Sequence, residues 1–168
     1  TNYNKGLEFL RKAAPYISDA TSFGVKGKYL LLNAKCFREL VKLLDADLRI
    51  KDGDDHAFYS QFNKLDKINH VILVLKENIP VGCGAFKHYS EQAVEIKRMF
   101  VHPDSRGQGI AQKILKELEH WASEIGYQTC VLETGQKQLD AIQLYLKTGY
   151  KRIPNYGQYE GIENSICM

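Results

Sequence analysis

Apolar residues in the first third of the chain follow two different patterns. Residues 3–17 place leucines and alanines near a helical spacing, which predicts a short amphipathic helix that Pro15 limits. The apolar run at 28–33 has the length of a strand and follows Gly24 and Gly27, so it predicts the first strand. A second helix is predicted by apolar residues three and four positions apart, namely Phe37, Leu40, Val41, Leu44 and Leu48.

A change in pattern near residue 70 separates helical spacing from strand-like runs. The segment 51–55 is expected to end the second helix, and three aromatic residues after it predict another short one: Phe58, Tyr59 and Phe62. The runs 71–75 and 81–86, on either side of a turn at 77–78, predict an antiparallel hairpin. The segment 93–101 predicts a third strand of this group.

Helical spacing returns after residue 108. An amphipathic helix is predicted over 109–125, and Gly126 is placed to end it. Its apolar side consists of Ile114, Leu115, Leu118, Trp121, Ala122 and Ile125. The remaining patterns predict a strand at 128–133, a helix at about 138–148 that Gly149 ends, and strands at 150–153 and 164–168.

These elements give the order β-α-α-β-β-β-α-β-α-β-β, without repeats or low-complexity linkers. Such an order predicts a mixed sheet with helices on both faces, in a single domain. Because the first predicted strand begins at residue 28, we assign residues 1–27 to an N-terminal extension with a short helix. Residues 28–168 form the predicted domain.

Composition supports one ordinary globular domain. The 168 residues are 44% hydrophobic and 26% charged, with a formal net charge of +3. Basic residues are spread among acidic ones, which disfavours a nucleic-acid-binding stripe but leaves enough local charge for a phosphate-bearing small molecule. The N-terminal sequence lacks a signal-peptide pattern, and no run approaches the ~18 apolar residues of a membrane span. We therefore expect a soluble, cytoplasmic protein without a membrane or nucleic-acid partner.

The metal-binding residue types show no useful spacing. The cysteines stand far apart without a C-x-x-C pair, at 36, 83, 130 and 167, which disfavours a zinc site and a disulfide framework. The histidines form no i, i+4 pair and have no acidic partner at metal spacing: His56, His70, His88, His102 and His120. No metal is predicted.

Two glycines at the start of the 109–125 helix indicate an anion-binding turn. Gly107 and Gly109 let the backbone approach a ligand while the first N–H groups of the helix point at it. A P-loop is excluded, since the chain contains no G-x-x-x-x-G-K-[ST] string. A dinucleotide fingerprint would place an acidic residue at Glu133, but Gln112 stands where its third glycine is needed, and only 35 residues follow Glu133.

The third class of ligand for such a turn is an acyl-coenzyme A. The segment Arg106-Gly-Gln-Gly-Ile-Ala111 fits the signature [QR]-x-x-G-x-[GA], and with 101–103, 132–134 and 141–150 it resembles the GNAT superfamily of N-acetyltransferases. The resemblance spans about residues 28–168. Within the superfamily, three stretches resemble a bacterial subgroup of small-molecule or unassigned acetyltransferases: 95–101, 132–135 and 153–157.

This resemblance implies an α+β fold with a mostly antiparallel sheet, and acetyl-CoA as co-substrate. The pyrophosphate would bind at Arg106, Gly107, Gln108, Gly109, Ile110 and Ala111. The backbone of Met99, Phe100 and Val101 would pair with the pantetheine arm. Gln138 stands where many relatives have an asparagine that faces the cofactor. Five aromatic residues would border the acceptor cleft or else pack as surface aromatics: Phe58, Tyr59, Phe62, Tyr156 and Tyr159.

The resemblance also suggests two catalytic residues. Glu95, eleven residues before Arg106, matches a glutamate that acts as general base in several relatives; the alternative is an exposed strand residue paired with Lys97 or another cation. Tyr145 matches a tyrosine that protonates the leaving thiolate, and the alternative is a core aromatic beside Ile142.

The implied reaction is direct transfer of an acetyl group to a primary amine of a small molecule or peptide. Ser105 lacks a G-x-S-x-G frame and the cysteines lack an evident base, which disfavours a covalent intermediate. A non-catalytic acyl-CoA sensor is the alternative. The sequence leaves the acceptor open, and a homodimer is allowed.

Overall fold

A computed structural model of the chain describes residues 7–13, 25–65 and 68–168. The strands are β1 (Leu7–Ala13), β2 (His70–Lys76), β3 (Ile79–Ser90), β4 (Ala93–Val101), β5 (Thr129–Gly135) and β6 (Ser165–Cys167). The α-helices are α1 (Val25–Asp52), α2 (His56–Ser60), α3 (Ile110–Glu124) and α4 (Leu139–Lys147). Short 3-10 turns lie at Gly53–Asp55, Pro103–Ser105 and Gly157–Tyr159.

The six strands form one sheet whose spatial order equals their order in the chain. Neighbouring strands run antiparallel except β4 and β5, which pair in parallel. A parallel pair needs a crossover connection, which α3 provides. The predicted fold class is thus confirmed: a single α+β domain with a mixed, mostly antiparallel sheet.

Helices cover both faces of the sheet. The apolar side of α1, including Phe37, Leu40 and Leu44, packs on Leu73 and Ala85. On the opposite face, α3 packs Ile114, Leu115 and Leu118 into a second cluster, which α4 joins through Ile142 and Tyr145. Strand residues of this second cluster include Ile72, Val74, Phe86 and Ile96. The helical spacings therefore predicted the buried side of α1 and, apart from the exposed Ile125, that of α3.

A bulge in β4 opens the sheet between two of its central strands. Lys97 pairs with Ala85 and Phe100 with Cys83, so two residues of β4 lie opposite the single residue Gly84. The first of them, Arg98, has a φ of 58°. Such a bulge bends a strand and increases its twist.

Pairing between β4 and β5 begins at Ala93 with Thr129 and extends only to Ile96 with Leu132. Beyond that point the two strands are unpaired with each other. We call this gap the fork; residues 97–101 of β4 and 133–135 of β5 line its two sides.

The helix predicted over residues 3–17 is wrong where the structure describes that segment. Residues 7–13 form β1, which pairs with β2 over its whole length, while 3–6 and 14–17 lie outside the described residues. Leu7 contacts the apolar cluster below α3, and Leu10 contacts the cluster below α1. A strand with leucines on both faces lacks simple alternation and imitates helical spacing. The boundary proposed at residue 27 stays a prediction.

The strand predicted at 28–33 is also wrong, because these residues lie inside α1. A short apolar run cannot be assigned to a strand or a helix from periodicity alone. Of the two predicted flanking glycines, Gly27 lies within α1 and Gly24 is outside the described residues.

The segment 51–55 ends α1 as predicted, since the helix stops at Asp52 and a 3-10 turn then leads directly into α2. One smaller prediction needs correction. Residues 150–153 form no strand, and only Ile153 bridges to Cys167 of β6. Pro154 follows, and its missing N–H prevents a regular ladder from continuing. The hairpin and the elements from β4 to α4 are confirmed, with boundary differences of no more than two residues except at the end of β3, which extends four residues beyond the predicted run.

Candidate active site

The turn after β4 has the backbone that an anion site needs. Gly107 and Gly109 have φ values of 75° and 71°, and α3 begins at the next residue, Ile110. A Cβ at Gly107 would meet nothing within 4 Å, and one at Gly109 would meet only Gln112 Oε1 at 3.9 Å. Glycine is therefore favoured at both positions by the positive φ and not by lack of space, and the surface of the turn stays open. The first N–H groups of α3 lack helical acceptors and can bind an anion.

Arg106 is partly held by its own turn. Its Nε donates a hydrogen bond to the carbonyl of Val101 at 3.1 Å. Its guanidinium carbon lies 5.9 Å from the centre of the Phe100 ring, and one terminal nitrogen lies 4.0 Å from a carboxylate oxygen of Asp47. These contacts hold the base of the side chain beside the turn and leave the guanidinium half-exposed.

A cavity of about 620 Å³ extends from this turn to α4. All the predicted cofactor-binding residues except Gln108 line it: Met99, Phe100, Val101, Arg106, Gly107, Gly109, Ile110, Ala111 and Gln138. Gln108 is exposed on the turn. Thus the structure brings β4, the turn and α4 together around one space.

A smaller cavity of about 90 Å³ lies at the fork. Lys97, Arg98 and Met99 contribute its β4 side, and Glu133 and Thr134 belong to its β5 side. Five residues line both cavities: Leu44, Met99, Gln138, Ala141 and Tyr145. The two cavities therefore adjoin, and the fork is their common boundary.

Tyr145 lies at that boundary. Its side chain is only 6% exposed, belongs to the apolar cluster of α3 and α4, and packs against Tyr150 with ring centres 5.8 Å apart. Burial, with a smaller contribution from the charge of Glu133, raises the pKa of the Tyr145 hydroxyl. The residue is both a core aromatic and a cavity wall, so the two sequence-based interpretations are compatible.

Glu95 is buried, at 1% exposure, and is paired with two lysines. Its Oε2 lies 2.7 Å from Lys87 Nζ, and its Oε1 lies 3.4 Å from Lys97 Nζ. The Tyr156 hydroxyl donates a long hydrogen bond of 3.4 Å to the same Oε1. Glu95 lines neither cavity. It has the cation partner that the alternative interpretation expected, but in the interior of the protein.

Glu133 is the cavity carboxylate to which the sequence analysis gave no catalytic role. It lines the smaller cavity and accepts a hydrogen bond of 2.8 Å from Ser165, whose hydroxyl also lies 3.0 Å from that of Tyr59. Burial, helped by the charges of Glu95 and Asp52, raises the pKa of Glu133 to about 6, against the lowering effects of Ser165 and Lys97. A glutamate ending a buried strand was the available signal.

Aromatic residues form one wall of the smaller cavity. Of the five predicted to border the acceptor cleft, Tyr59 and Tyr159 line it. Phe58 packs edge-on against Tyr59, and Phe62 against Tyr159, with ring centres 5.2 and 5.9 Å apart. Tyr156 packs edge-on against Tyr159 as well. The predicted group is thus divided between residues in the wall and residues behind it.

Two other kinds of feature, a membrane-spanning helix and a metal-binding cluster, are absent from the described part of the chain. No helix there is long and apolar enough to cross a membrane. The His, Cys, Asp and Glu side chains in residues 7–13, 25–65 and 68–168 form no group of three or more that could hold a metal ion.

Comparison with known proteins gives a consistent result. A model of the acetyltransferase (GNAT) family matches residues 37–150. An IAA acetyltransferase from Azospirillum brasilense is 40% identical over 89 residues, which cover 52% of this chain and 58% of that protein. An aminoalkylphosphonate N-acetyltransferase from Salmonella typhimurium is 32% identical over 119 residues, which cover 67% of this chain and 77% of that protein.

A solved structure extends the similarity to the whole fold. A Klebsiella pneumoniae protein, proposed to be an acyl-CoA N-acyltransferase, has a TM-score of 0.70 to this chain at 26% identity. The match covers 96% of this chain and 94% of that protein.

Proposed function

This chain belongs to the GNAT family of acetyltransferases, and we propose that it transfers the acetyl group of acetyl-CoA directly to a primary amine bound at the fork. The observation that carries this proposal is the meeting of two cavities beside Tyr145. The larger cavity suits the acyl donor, and the smaller cavity, with Glu133, suits the acceptor.

The larger cavity fits acetyl-CoA in size and chemistry. Its volume of about 620 Å³ lies within the ~300–1,000 Å³ typical of ligand sites. One end is the N-terminus of α3, where free N–H groups and the helix dipole favour phosphate. Arg106 and Lys147 add positive charge along the wall. Met99 to Val101, which are unpaired with β5, leave room for the extended pantetheine arm beside β4.

Glu133 is our candidate for the general base. When bound, acetyl-CoA supplies a thioester carbonyl carbon for attack and a thiolate as leaving group. Glu133 takes a proton from the acceptor ammonium group, which frees the nitrogen lone pair to form the new N–C bond. A carboxylate with a pKa of about 6 is ionised near neutral pH and still accepts a proton usefully.

Tyr145 is our candidate for the proton donor on the other side of the fork. Because burial raises its pKa, the hydroxyl is protonated at neutral pH. It can donate a hydrogen bond to the sulfur as the C–S bond breaks, and a proton as negative charge accumulates there. Its position on the wall of both cavities supports this role, because the two substrates would meet there.

Glu95 is better suited to positioning than to proton transfer. Its carboxylate is already paired with Lys87 and Lys97, and it lines neither of the two cavities. It holds Lys97 against the Tyr159 hydroxyl, to which Lys97 donates at 2.9 Å. The sequence-based prediction that Glu95 is the base remains the rival, and variants of both glutamates separate the two.

Direct transfer agrees with the state of the described cysteines. Cys83 is fully buried and burial raises its pKa to about 12, while the pKa of Cys130 is raised to about 11. Thiols of this kind supply almost no thiolate nucleophile at neutral pH.

Calorimetry with acetyl-CoA tests the proposal. The wild-type protein is expected to bind acetyl-CoA, and Gly109→Asp to lose most of that affinity, because the new carboxylate would lie against the phosphates. Gly126→Asp is the matched control, since it replaces another positive-φ glycine with open space around it, beyond the far end of α3. Absence of wild-type binding at millimolar acetyl-CoA would refute the donor site.

A thiol-release assay with a panel of amines then separates an enzyme from an acyl-CoA sensor. The enzyme releases free thiol only when an acceptor amine is present. Binding of acetyl-CoA without amine-dependent thiol release, across small amines and peptide amines, would favour the sensor.

A further inference from the structure

The smaller cavity carries charges of both signs, and each of its two cations has an anionic partner, although Arg98 Nε is buried without a hydrogen-bond partner among the described residues. Arg98 lies 2.6 Å from the carboxylate of Asp45. Lys97 is held by Glu95 and by the Tyr159 hydroxyl, and its ammonium group lies 5.6 Å from the centre of the Tyr159 ring. The remaining charged lining residues are Asp52 and Glu133, both carboxylates.

Neither of these carboxylates has a close cation of its own. Asp52 is 7% exposed, and its nearest ion-pair partner is His56, 3.5 Å from Oδ2. The ammonium group of Lys137 bonds the main-chain carbonyl of Asp52 and not its side chain. Glu133 accepts its hydrogen bond from the neutral hydroxyl of Ser165. Burial raises the pKa of both carboxyl groups, although His56 and Lys137 lower that of Asp52 and Lys97 lowers that of Glu133.

The two carboxylates are spaced along one face of β5. Oδ1 of Asp52 lies 3.8 Å from the position that a Cβ would take at Gly135. Glu133 and Gly135 are two residues apart in the strand and so face the same side, with their Cα atoms about 7 Å apart. Two cations, one at each carboxylate, would therefore lie apart by roughly the length of a four-carbon chain, at about 1.5 Å per bond.

We propose that the acceptor is a short aliphatic diamine, whose reactive amine faces Glu133 and whose second ammonium group binds Asp52. This inference rests on the proposed function and names the substrate class of the same site. The reactive nitrogen gives one ammonium proton to Glu133 and forms the N–C bond to the acetyl carbon, while the C–S bond breaks and the leaving sulfur takes the hydroxyl proton of Tyr145. The second proton that the nitrogen loses returns to Tyr145. The second nitrogen keeps its protons and remains paired with Asp52.

The walls of the cavity suit the rest of such a molecule. Leu44 and Leu48 offer apolar contact to a methylene chain, and the Tyr59 ring can contact the chain or an ammonium group. A cavity of about 90 Å³ has room for an unbranched chain and little more.

A buried hydroxyl in the same cavity gives independent support for a polar ligand. The side-chain oxygen of Thr134 is buried, in a residue 5% exposed, and has no hydrogen-bond partner in the described part of the chain. Thr134 lines the smaller cavity. A polar atom of a bound substrate that reaches the face of β5 opposite Glu133 would satisfy this oxygen.

An anionic acceptor fits less well. A carboxylate or phosphonate beside the amine would lie near Asp52 and Glu133, while Lys97 and Arg98 already have their anions. On this argument the chain differs in acceptor from the Salmonella relative named for aminoalkylphosphonate. Full desolvation of like charges in one site is strongly unfavourable.

The first arm of the test compares three amines of equal chain length with the wild-type protein. The kcat/KM for 1,4-diaminobutane is expected to exceed that for butylamine by about tenfold or more, as one additional close charge pair allows. The value for 4-aminobutyrate is expected to be lowest. Equal values for the diamine and butylamine, or a preference for 4-aminobutyrate, would overturn the assignment and point to Lys97 and Arg98 as the selecting charges.

The second arm removes the proposed partner of the distal ammonium. Asp52→Asn is expected to lower the ratio of kcat/KM for the diamine to kcat/KM for butylamine about tenfold or more. Asp54→Asn, on the exposed 3-10 turn, is the control that keeps the preference. A variant of Asp52 that folds normally, by its melting temperature, and keeps the full preference for the diamine would contradict the inference.

Failure of this inference can be told apart from failure of the proposed function. If acetyl-CoA binds but the diamine is not acetylated, or is no better than a monoamine, only the diamine assignment is wrong. If acetyl-CoA does not bind at all, the proposed function itself is wrong, and the diamine assignment falls with it.

Discussion

At the scale of single residues, two glutamates on neighbouring strands have opposite surroundings. Glu95 and Glu133 face the same side of the sheet, since Glu95 pairs in register with Val131 and side chains two apart share a face. Glu95 has two lysines within 3.4 Å and is closed off, whereas Glu133 has one hydroxyl donor and lines a cavity. The same residue type thus serves as a structural ion-pair partner in one place and as a candidate base in the other.

Substitution of each glutamate by glutamine distinguishes their roles. Glu133→Gln is expected to lower kcat by about 100-fold or more, because proton acceptance by a positioned side chain contributes on that scale. Glu95→Gln is expected mainly to lower the melting temperature, because it leaves two lysines without their buried anion. Thiol-release kinetics and thermal unfolding measure the two effects. An inactive Glu95→Gln with unchanged stability, beside an active Glu133→Gln, would make Glu95 the base.

The same experiment has a pH signature. A base must be ionised, so kcat/KM is expected to rise as the pH increases through about 6, the raised pKa of Glu133, and to level off above it. Ser165→Ala removes a hydrogen bond that lowers this pKa, so the rise moves to higher pH while Lys97, Glu95 and Asp52 still face the group. Ser123→Ala, exposed near the end of α3, should leave the profile in place.

The sequence alone identified Tyr145 and the turn as candidate functional residues, but it did not identify Glu133 as a candidate base. Tyr145 and the Arg106 to Ala111 segment belong to a local motif, which the order of residues displays. The importance of Glu133 depends on which side chains surround it, and these come from β4, β6 and α2. Strand register and the long-range packing of α2 bring these side chains together. Neither can be predicted from the residues next to Glu133 in the chain.

At the scale of elements, the bulge in β4 creates the site. It turns residues 98–101 away from β5 and so leaves the fork. On the partner strand, Gly84 lies opposite the two bulged residues in close contact with α3. A Cβ there would lie 2.6 Å from Ile114 Cγ2 and 2.6 Å from Met99 Sδ. The close packing of β3, β4 and α3 at this point therefore depends on a missing side chain.

Gly84→Ala is expected to lower the free energy of unfolding by about 1–3 kcal/mol, the usual effect of overpacking a core. It should also raise the KM for acetyl-CoA, because Met99 lines both cavities and would have to move. Chemical denaturation and steady-state kinetics measure these changes. Gly82→Ala is the comparison, since its Cβ would approach no atom closer than 3.1 Å. If Gly84→Ala lowers the free energy of unfolding and raises the KM no more than Gly82→Ala does, the contact with Met99 does not determine either property.

The helix with a single apolar face and the central strands with continuous apolar runs were predictable, whereas β1 and the first part of α1 were not. The helix α3 has a single apolar face, and its sequence pattern gave its position to within a residue at each end. The strand β1 places leucines on both faces, so its sequence does not alternate and imitates a helix. The run at 28–33 belongs to a helix of 28 residues, too long for a short window to reveal.

At the scale of the whole molecule, the mixed sheet and its two helical layers followed from the succession of elements. The order of strands in space could also be expected, because hairpins connect β2, β3 and β4 and α3 makes one crossover. The first strand was predicted at 28–33, whereas the first strand of the structure is β1 at 7–13. A homodimer, a cytoplasmic location and the absence of nucleic-acid binding stay predictions.

The meeting of two cavities at the fork has a consequence for the order of events in catalysis. Separate spaces that adjoin allow donor and acceptor to occupy the protein together, so neither product need leave before both substrates have arrived. Initial-rate measurements at several fixed amine concentrations should therefore give double-reciprocal lines that intersect. Parallel lines would instead reveal an acetylated form of the protein and contradict direct transfer. The gap between β4 and β5 would thus determine the kinetic mechanism as well as the location of the chemistry.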